Sequence, residues 1–208
     1  MGRTVLALFV MLLVLFAGAS AMTDGFTGWT SESLRRQRIA AHPVPVPIAT
    51  LVDAQGQSFS LDTAIHRGGK VVLIDFIYTR CNTVCSALGG EFEQLQHDIV
   101  ARGLRDKVSL LSISFDPAHD DPAALAAYAQ RMHADPVIWR FATTHDAKQL
   151  PLLLQTFGIV VIPDGYGGWT HNAAIHIVGT DGKLSRILDV DEFRRALAIA
   201  AAGTGAGA

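Results

Sequence analysis

Apolar residues follow three different patterns along the chain. Residues 4–22, "TVLALFVMLLVLFAGASAM", are uncharged and almost continuously apolar. Residues 23–47 are polar and then broken by prolines ("HPVPVP"), with no sustained period, as in a tether. From Ile48 onward, short apolar runs alternate with stretches of helical period. "IATLVDAQGQSFSL" predicts a hairpin turning at Asp53–Gly56. "VVLIDFIY" (71–78) is rich in β-branched residues and predicts a strand buried on both faces. Val84, Leu88, Phe92, Leu95 and Ile99 then recur at helical spacing, predicting an amphipathic helix that ends near Gly103.

The alternation continues. "KVSLLSISF" (107–115) predicts a second buried strand, and Asp121-Pro122 opens another helix as N-cap and first-turn proline. "VIWRFA" (137–142) predicts a strand, followed by a helix to about Phe157 whose start Pro151 is expected to delay. "AAIHIVG" and "LSRILDV" flank "TDGK", a hairpin signal. "DEFRRALAIAAA" predicts a last helix before a frayed "GTGAGA" tail. Strands alternating with helices, closed by a hairpin and a helix, predict an α/β fold: a central mixed sheet flanked by helices, with a parallel centre and an extra N-terminal hairpin, the outline of thioredoxin-like folds. The expected organisation is a signal peptide or anchor at 1–21, a tether at 22–47, a thioredoxin-like domain at 48–202 and a disordered tail at 203–208.

The N-terminus sets the compartment. A single Arg3, an apolar run and the small-x-small site Ala19-Ser20-Ala21 form an export signal. The 19 residues from 4 to 22 are also close to the roughly 20 that span a bilayer, so the segment serves either as a cleaved signal or as an inner-membrane anchor. Cleavage after Ala21 is favoured because the most apolar stretch, Val5 to Phe16, is short for a span. The expected location is exported and periplasmic. The net charge of −2, with no Lys/Arg block, excludes a nucleic-acid partner.

Export places the only two cysteines, Cys81 and Cys85, in an oxidising compartment. They fall in the loop after the first central strand and in the first turn of its helix, at the sheet edge where open α/β folds bind ligands. A three-residue loop gives a disulfide little chain-entropy stabilisation, so a structural staple is a poor explanation. Positions four apart on a helix have Cβ atoms about 5–6 Å apart, whereas a disulfide needs about 3.5–4.5 Å. Two thiolates sharing one metal ion stand roughly 4 Å apart, sulfur to sulfur, which helical rotamers reach. The spacing suits a metal better than a disulfide. The redox alternative stays open if Cys81 precedes the helix, where the loop can bend. Either chemistry gains from the helix N-terminus, which favours thiolate.

Two thiolates need a third donor to complete a site. Of the eight histidines, His97 is some three turns from the pair, and the face of a strand suffices to explain His176. His171 stands apart: it ends the glycine-rich loop "PDGYGGWTH" directly before a predicted strand. Two cysteines and a histidine form a soft trigonal set suited to copper or zinc. Two cysteines argue against an iron–sulfur cluster, and no motif marks the general base of a zinc hydrolase.

"VVLIDFIYTRCNTVC", "LLSISFDPAHDDPAALAAYA", "FGI" and "THNAAIHIVGTDGKL", in that order over roughly residues 48–195, resemble the Sco/SenC family of copper-binding, thioredoxin-fold proteins. The resemblance implies Cys81, Cys85 and His171 as ligands of Cu(I) and/or Cu(II), with Asp116 as a loop acid near the site. It implies a metallochaperone that delivers copper to, or reduces the cysteines of, the CuA site of cytochrome c oxidase or a related exported copper enzyme. The implied partners are the copper-bearing oxidase subunit, other copper chaperones, and the membrane through the N-terminus. The chain departs from the family pattern at Ser86, where proline is usual, and at Thr170-His171-Asn172, where Asp-His-Ser is usual. Two non-metal alternatives remain. One is a thiol–disulfide oxidoreductase with Cys81 attacking and Cys85 resolving. The other, weaker, is a peroxide-reducing enzyme for which Arg80 is the adjacent candidate.

Overall fold

The computed structural model describes residues 2–22, 30–80, 84–144, 146 and 148–203, with the side chains of residues 22 and 84–88 outside the description. The chain divides into two compact units, Met1–His42 and Pro43–Ala208. The first holds two helices. α1 (Gly2–Met22) is long and apolar enough to cross a membrane, and its apolar side chains are exposed. α2 (Ser31–Ala41) starts at Thr30, whose side chain accepts from the Ser33 amide while the Ser33 hydroxyl caps back. That reciprocal pair satisfies two orphan donors and explains a helix inside the expected tether.

The second unit is a mixed sheet of β1 (Val44–Pro45), β2 (Thr50–Asp53), β3 (Ser58–Ser60), β4 (Val71–Ile77), β5 (Val108–Ser114), β6 (Trp139–Thr143), β9 (Ile175–Val178) and β10 (Lys183–Leu188). Their order is β1-β10-β9-β4-β5-β6-β2-β3. The centre, β4-β5-β6, is parallel, and the expected hairpins, β2-β3 and β9-β10, flank it. A separate small hairpin pairs β7 (Val161–Pro163) with β8 (Trp169–His171). The helices are α3 (Leu61–Gly68), α4 (Val84–Ala101), α5 (Pro122–Arg131), α6 (Gln149–Phe157) and α7 (Phe193–Ala202), the last preceded by a 3-10 turn, Val190–Glu192.

β4 is buried along its whole length and β5 at every residue but Ser109, because each face is covered. Leu73, Ile77, Leu110, Trp139, Phe141 and Ile177 share one core with Phe92, Leu95 and Ile99 of α4, Leu125 and Tyr128 of α5, and Leu197 of α7. On the opposite face, Phe76 and His176 pack against Phe157 of α6. The crossovers β4-α4-β5 and β5-α5-β6 return each helix antiparallel to its strand. The first turns of α4 and α5 therefore stand over the carboxyl ends of β4 and β5.

Three boundaries differ from the expectations. The fold begins before Ile48: Val44 and Pro45 add an edge strand to β10, too short to leave a periodic signal. Pro151 does not delay α6, which starts two residues earlier at Gln149, because a first-turn proline loses no helical donor. His171 does not directly precede the strand β9; it is the last residue of the extra strand β8, four residues before Ile175, where β9 begins.

Candidate metal centre

The β4–α4 loop is fixed from its N-terminal side by buried polar contacts. Asp120, fully buried, accepts from the Thr79 amide at 2.9 Å and the Thr79 hydroxyl at 2.6 Å, and from the Ser114 hydroxyl. Arg131 of α5 donates to the Thr79 carbonyl at 3.1 Å. Three hydrogen bonds from two side chains, Asp120 and Arg131, thus hold the residue two positions before Cys81, and Ser114 braces Asp120 in place. Cys81 itself lies outside the described residues. Cys85 is the second residue of α4, with its side chain outside the description. The 18-residue helix begins at Val84, and the positive end of a helix favours thiolate in its first turn.

The imidazole comes from the β7-β8 hairpin. The Tyr78 hydroxyl, three residues before Cys81, donates to the Trp169 carbonyl at 3.1 Å and meets the Trp169 amide at 3.4 Å. Two residues further along the hairpin, the His171 ring stacks edge-on against Phe115 at 4.9 Å and Tyr78 at 6.3 Å between centroids. Asn172 anchors the strand's other side: its Oδ1 accepts from the Val160 amide at 2.7 Å and its Nδ2 donates to the Gly158 carbonyl at 2.9 Å. The asparagine that departs from the family pattern thus fastens the histidine strand to the end of α6. Inside the hairpin loop, Asp164 accepts from the amides of Tyr166 and Gly168, at 2.7 and 2.9 Å.

Burial pushes the His171 imidazole below its ordinary pKa, and the Nδ1 bond to the Asn172 carbonyl, 2.9 Å, only partly opposes this. The ring is neutral at physiological pH. An N–H at Nδ1 leaves the lone pair on Nε2, the tautomer that ligates a metal.

Asp116 lies at the carboxyl end of β5, beside Phe115, and is nearly buried. Its carboxylate accepts from Arg80 Nη2 at 3.0 Å and meets His119 Nδ1 at 2.9 Å. Its backbone carbonyl accepts the amides of His119 and Asp120, so it is also a turn residue. Burial alone raises its pKa; the His119 and Arg80 hydrogen bonds and charges outweigh that and hold the carboxyl below its usual range. Asp116 therefore steers Arg80, the residue directly before Cys81, and no described contact joins it to His171.

The structure thus brings Tyr78, Phe115, Asp116 and His171 to one sheet edge, where α4 also begins. His97 and His176 stand apart; His176 is buried, with its ring nitrogens on the Ile74 and Phe157 carbonyls. Sequence reasoning missed Thr79, Asp120 and Arg131 as loop anchors, and Tyr78 as the hairpin clamp. A run of acids after a buried strand, "DPAHDD", is the one signal that pointed towards them. A shallow groove beside α3, lined by Leu61, Ile65, Leu111 and Arg140, opens near the amino ends of β4 and β5, away from this chemistry.

A parallel-centred α/β sheet, with a thiol-bearing helix at its carboxyl edge and an imidazole-bearing hairpin over it, defines a thioredoxin-like metal or redox domain. The SCO1/SenC family pattern matches residues 49–203, and the chain belongs to that family. It is 30% identical over 137 residues to the SCO1 protein homolog of Bacillus subtilis, covering 65% of this chain and 68% of that one. It is 28% identical over 143 residues to a protein of Stutzerimonas stutzeri described as copper-binding, covering 67% and 66%. Among solved structures it resembles BsSco, a member of the Sco family of cytochrome c oxidase assembly proteins in which a disulfide switch was identified (TM-score 0.64, 24% identity, 77% of this chain and 95% of that one). It also resembles Bradyrhizobium japonicum ScoI solved with copper bound (TM-score 0.61, 23% identity, 76% and 98%). At these identities the structural matches establish the thioredoxin-like fold.

Proposed function

We propose that this chain is an exported copper metallochaperone. Cys81 and Cys85 hold copper, Cu(I) and/or Cu(II), as cargo with His171 as third ligand. The metal passes by ligand exchange to the CuA site of cytochrome c oxidase or a related exported copper enzyme, with other copper chaperones as upstream partners. α1 serves as export signal or as anchor, placing the domain in the periplasm. The observation that carries this function is the clamp between Tyr78 and Trp169, which ties the hairpin bearing His171 to the chain three residues before Cys81. A soft metal suits two thiolates and a neutral imidazole, and the copper-binding relative from Stutzerimonas stutzeri agrees with that choice.

The test is competitive titration of the exported protein with Cu(I). Wild type should take one equivalent, Cys81→Ser and Cys85→Ser none at the same competitor strength, and His171→Ala should bind at least tenfold more weakly. Tight binding of one equivalent by either serine variant would end the proposal.

A second function is thiol–disulfide exchange with a client, Cys81 attacking and Cys85 resolving. The disulfide switch of BsSco supports it. A mixed disulfide trapped in Cys85→Ser protein, indifferent to His171→Ala, is its signature.

A further inference from the structure

The helix α3 is short, and the strip of sheet it leaves uncovered is chemically mixed. Its eight residues, Leu61–Gly68, stop at Gly69, which takes the left-handed conformation at φ 62°. Leu61 and Ile65 are buried and form one wall of the groove beside the helix.

Strand register fixes the floor. Val72 of β4 pairs with Ser109 of β5, and Leu111 of β5 with Arg140 of β6. Alternation sets these four on the sheet face opposite Leu73, Leu110, Trp139 and Phe141, which belong to the core under α4 and α5. α6 closes that face further along, where Phe157 meets Phe76 and His176. Between α3 and the segment Pro136–Ile138, a groove of about 200 Å³ stays open over Val72 and Leu111. Val137 is left largely exposed at its rim.

The charged residues lining the groove are Lys70 and Arg140, and among the described residues no acid lines it. Lys70 lies two residues before Val72 on the same face, at the Ser109 end of the floor. No described side chain pairs with Lys70 or with the Ser109 hydroxyl. Arg140 stands two strands away, at the other end. Its guanidinium lies over the Phe59 ring at 4.7 Å and 3.9 Å from Asp53 Oδ2. That leaves its aliphatic stem to line the groove. A cation and a hydroxyl at one end, an apolar floor and a second cation beyond it complement an anion that carries a hydrocarbon tail. Since about 150 Å³ accommodates benzene, this volume suits a chain of about six carbons.

We propose that the groove is a binding site for a short aliphatic carboxylate. The carboxylate sits against Lys70 and Ser109, and the tail lies on Val72 and Leu111 beneath Ala64 and Ile65 of α3. The groove is at the opposite end of β4 and β5 from the metal centre, so its occupancy neither requires nor blocks copper.

The test is titration of the full-length protein with sodium hexanoate, followed by backbone amide shifts in NMR. Saturable shifts should centre on Val72, Ser109, Leu111 and α3. Each methylene that enters the groove strengthens binding about fourfold, so hexanoate should bind about tenfold more tightly than butanoate. Hexylammonium, of equal length and opposite charge, should bind at least tenfold more weakly than hexanoate. Lys70→Gln should weaken hexanoate about threefold. Ala64→Leu keeps a good helix former and fills the groove, and should lose binding at least tenfold. If Ala64→Leu fails to fold, Lys70→Gln and the charge comparison decide the matter. Absence of saturable shifts at these amides with tens of millimolar hexanoate overturns the proposal. So does hexylammonium binding as tightly as hexanoate, or undiminished binding in folded Ala64→Leu.

Discussion

Replacing Asp120 with alanine removes the acceptor of three buried hydrogen bonds at once: from the Thr79 amide, the Thr79 hydroxyl and the Ser114 hydroxyl. The amide cannot turn elsewhere, and an orphaned buried donor costs about 1–3 kcal/mol. The two hydroxyls rotate and find weaker partners, losing about 1 kcal/mol each. Removing a buried carboxylate returns some desolvation energy, so the expected loss is about 3 kcal/mol, against a typical total of about 5–15 kcal/mol. With a urea slope of about 2 kcal/mol/M, the unfolding midpoint should fall by about 1.5 M. Asp120→Asn keeps one carbonyl acceptor and should lose about half as much. Because Thr79 stands two residues before Cys81, the alanine variant should also weaken copper binding in the competitive titration. Urea unfolding monitored by tryptophan fluorescence and by circular dichroism supplies the test. A midpoint shift below about 0.3 M, with both probes coincident, would refute the idea that Asp120 anchors the thiol loop.

Three further outcomes are expected. Tyr78→Phe, which removes only the oxygen bridging Trp169, should cost about 1 kcal/mol in stability and lower copper affinity severalfold; unchanged affinity would mean the clamp does not position His171. Asp116→Asn should show its full stability deficit at pH 6 and a shrinking one below about pH 4. A carboxyl held below its usual range stabilises the fold above that range and loses this as pH falls through the lowered value. Its partners Arg80 and His119 have side chains 45% and 51% exposed, so the deficit should be only about 1 kcal/mol; a pH-independent difference from 6 to 3 would count against the pairing. Gly182→Ala puts a Cβ into the His66 ring at φ +72° and should destabilise by about 2 kcal/mol, only partly relieved by His66→Ala; full relief would show that the backbone itself is unstrained.

The parts of this fold written in periodicity were legible in the sequence. The apolar run 71–78 became β4, the 84–99 stripe became α4, and Asp121-Pro122 became an N-cap whose carboxylate accepts the Ala124 amide. Elements held by pairing with distant residues were not legible. β1 is two residues long and exists through its partner β10. The β7-β8 hairpin, hidden in a glycine-rich loop, exists through Asp164 and the Tyr78 clamp. For the site, residue chemistry singled out the cysteines and His171, and the family resemblance added Asp116. The contacts among Thr79, Asp120 and Arg131 join positions 41 and 52 residues apart, which no local pattern records.

The account rests on two sulfurs and one imidazole converging on a single copper ion. X-ray absorption at the copper edge of the Cu(I)-loaded protein, compared with loaded His171→Ala, measures that donor set directly. The expected spectrum has two sulfur scatterers and one histidine nitrogen in wild type, and the imidazole scattering vanishes in the variant while both sulfurs remain. A wild-type spectrum without sulfur, or one whose imidazole signal survives the substitution, would contradict it.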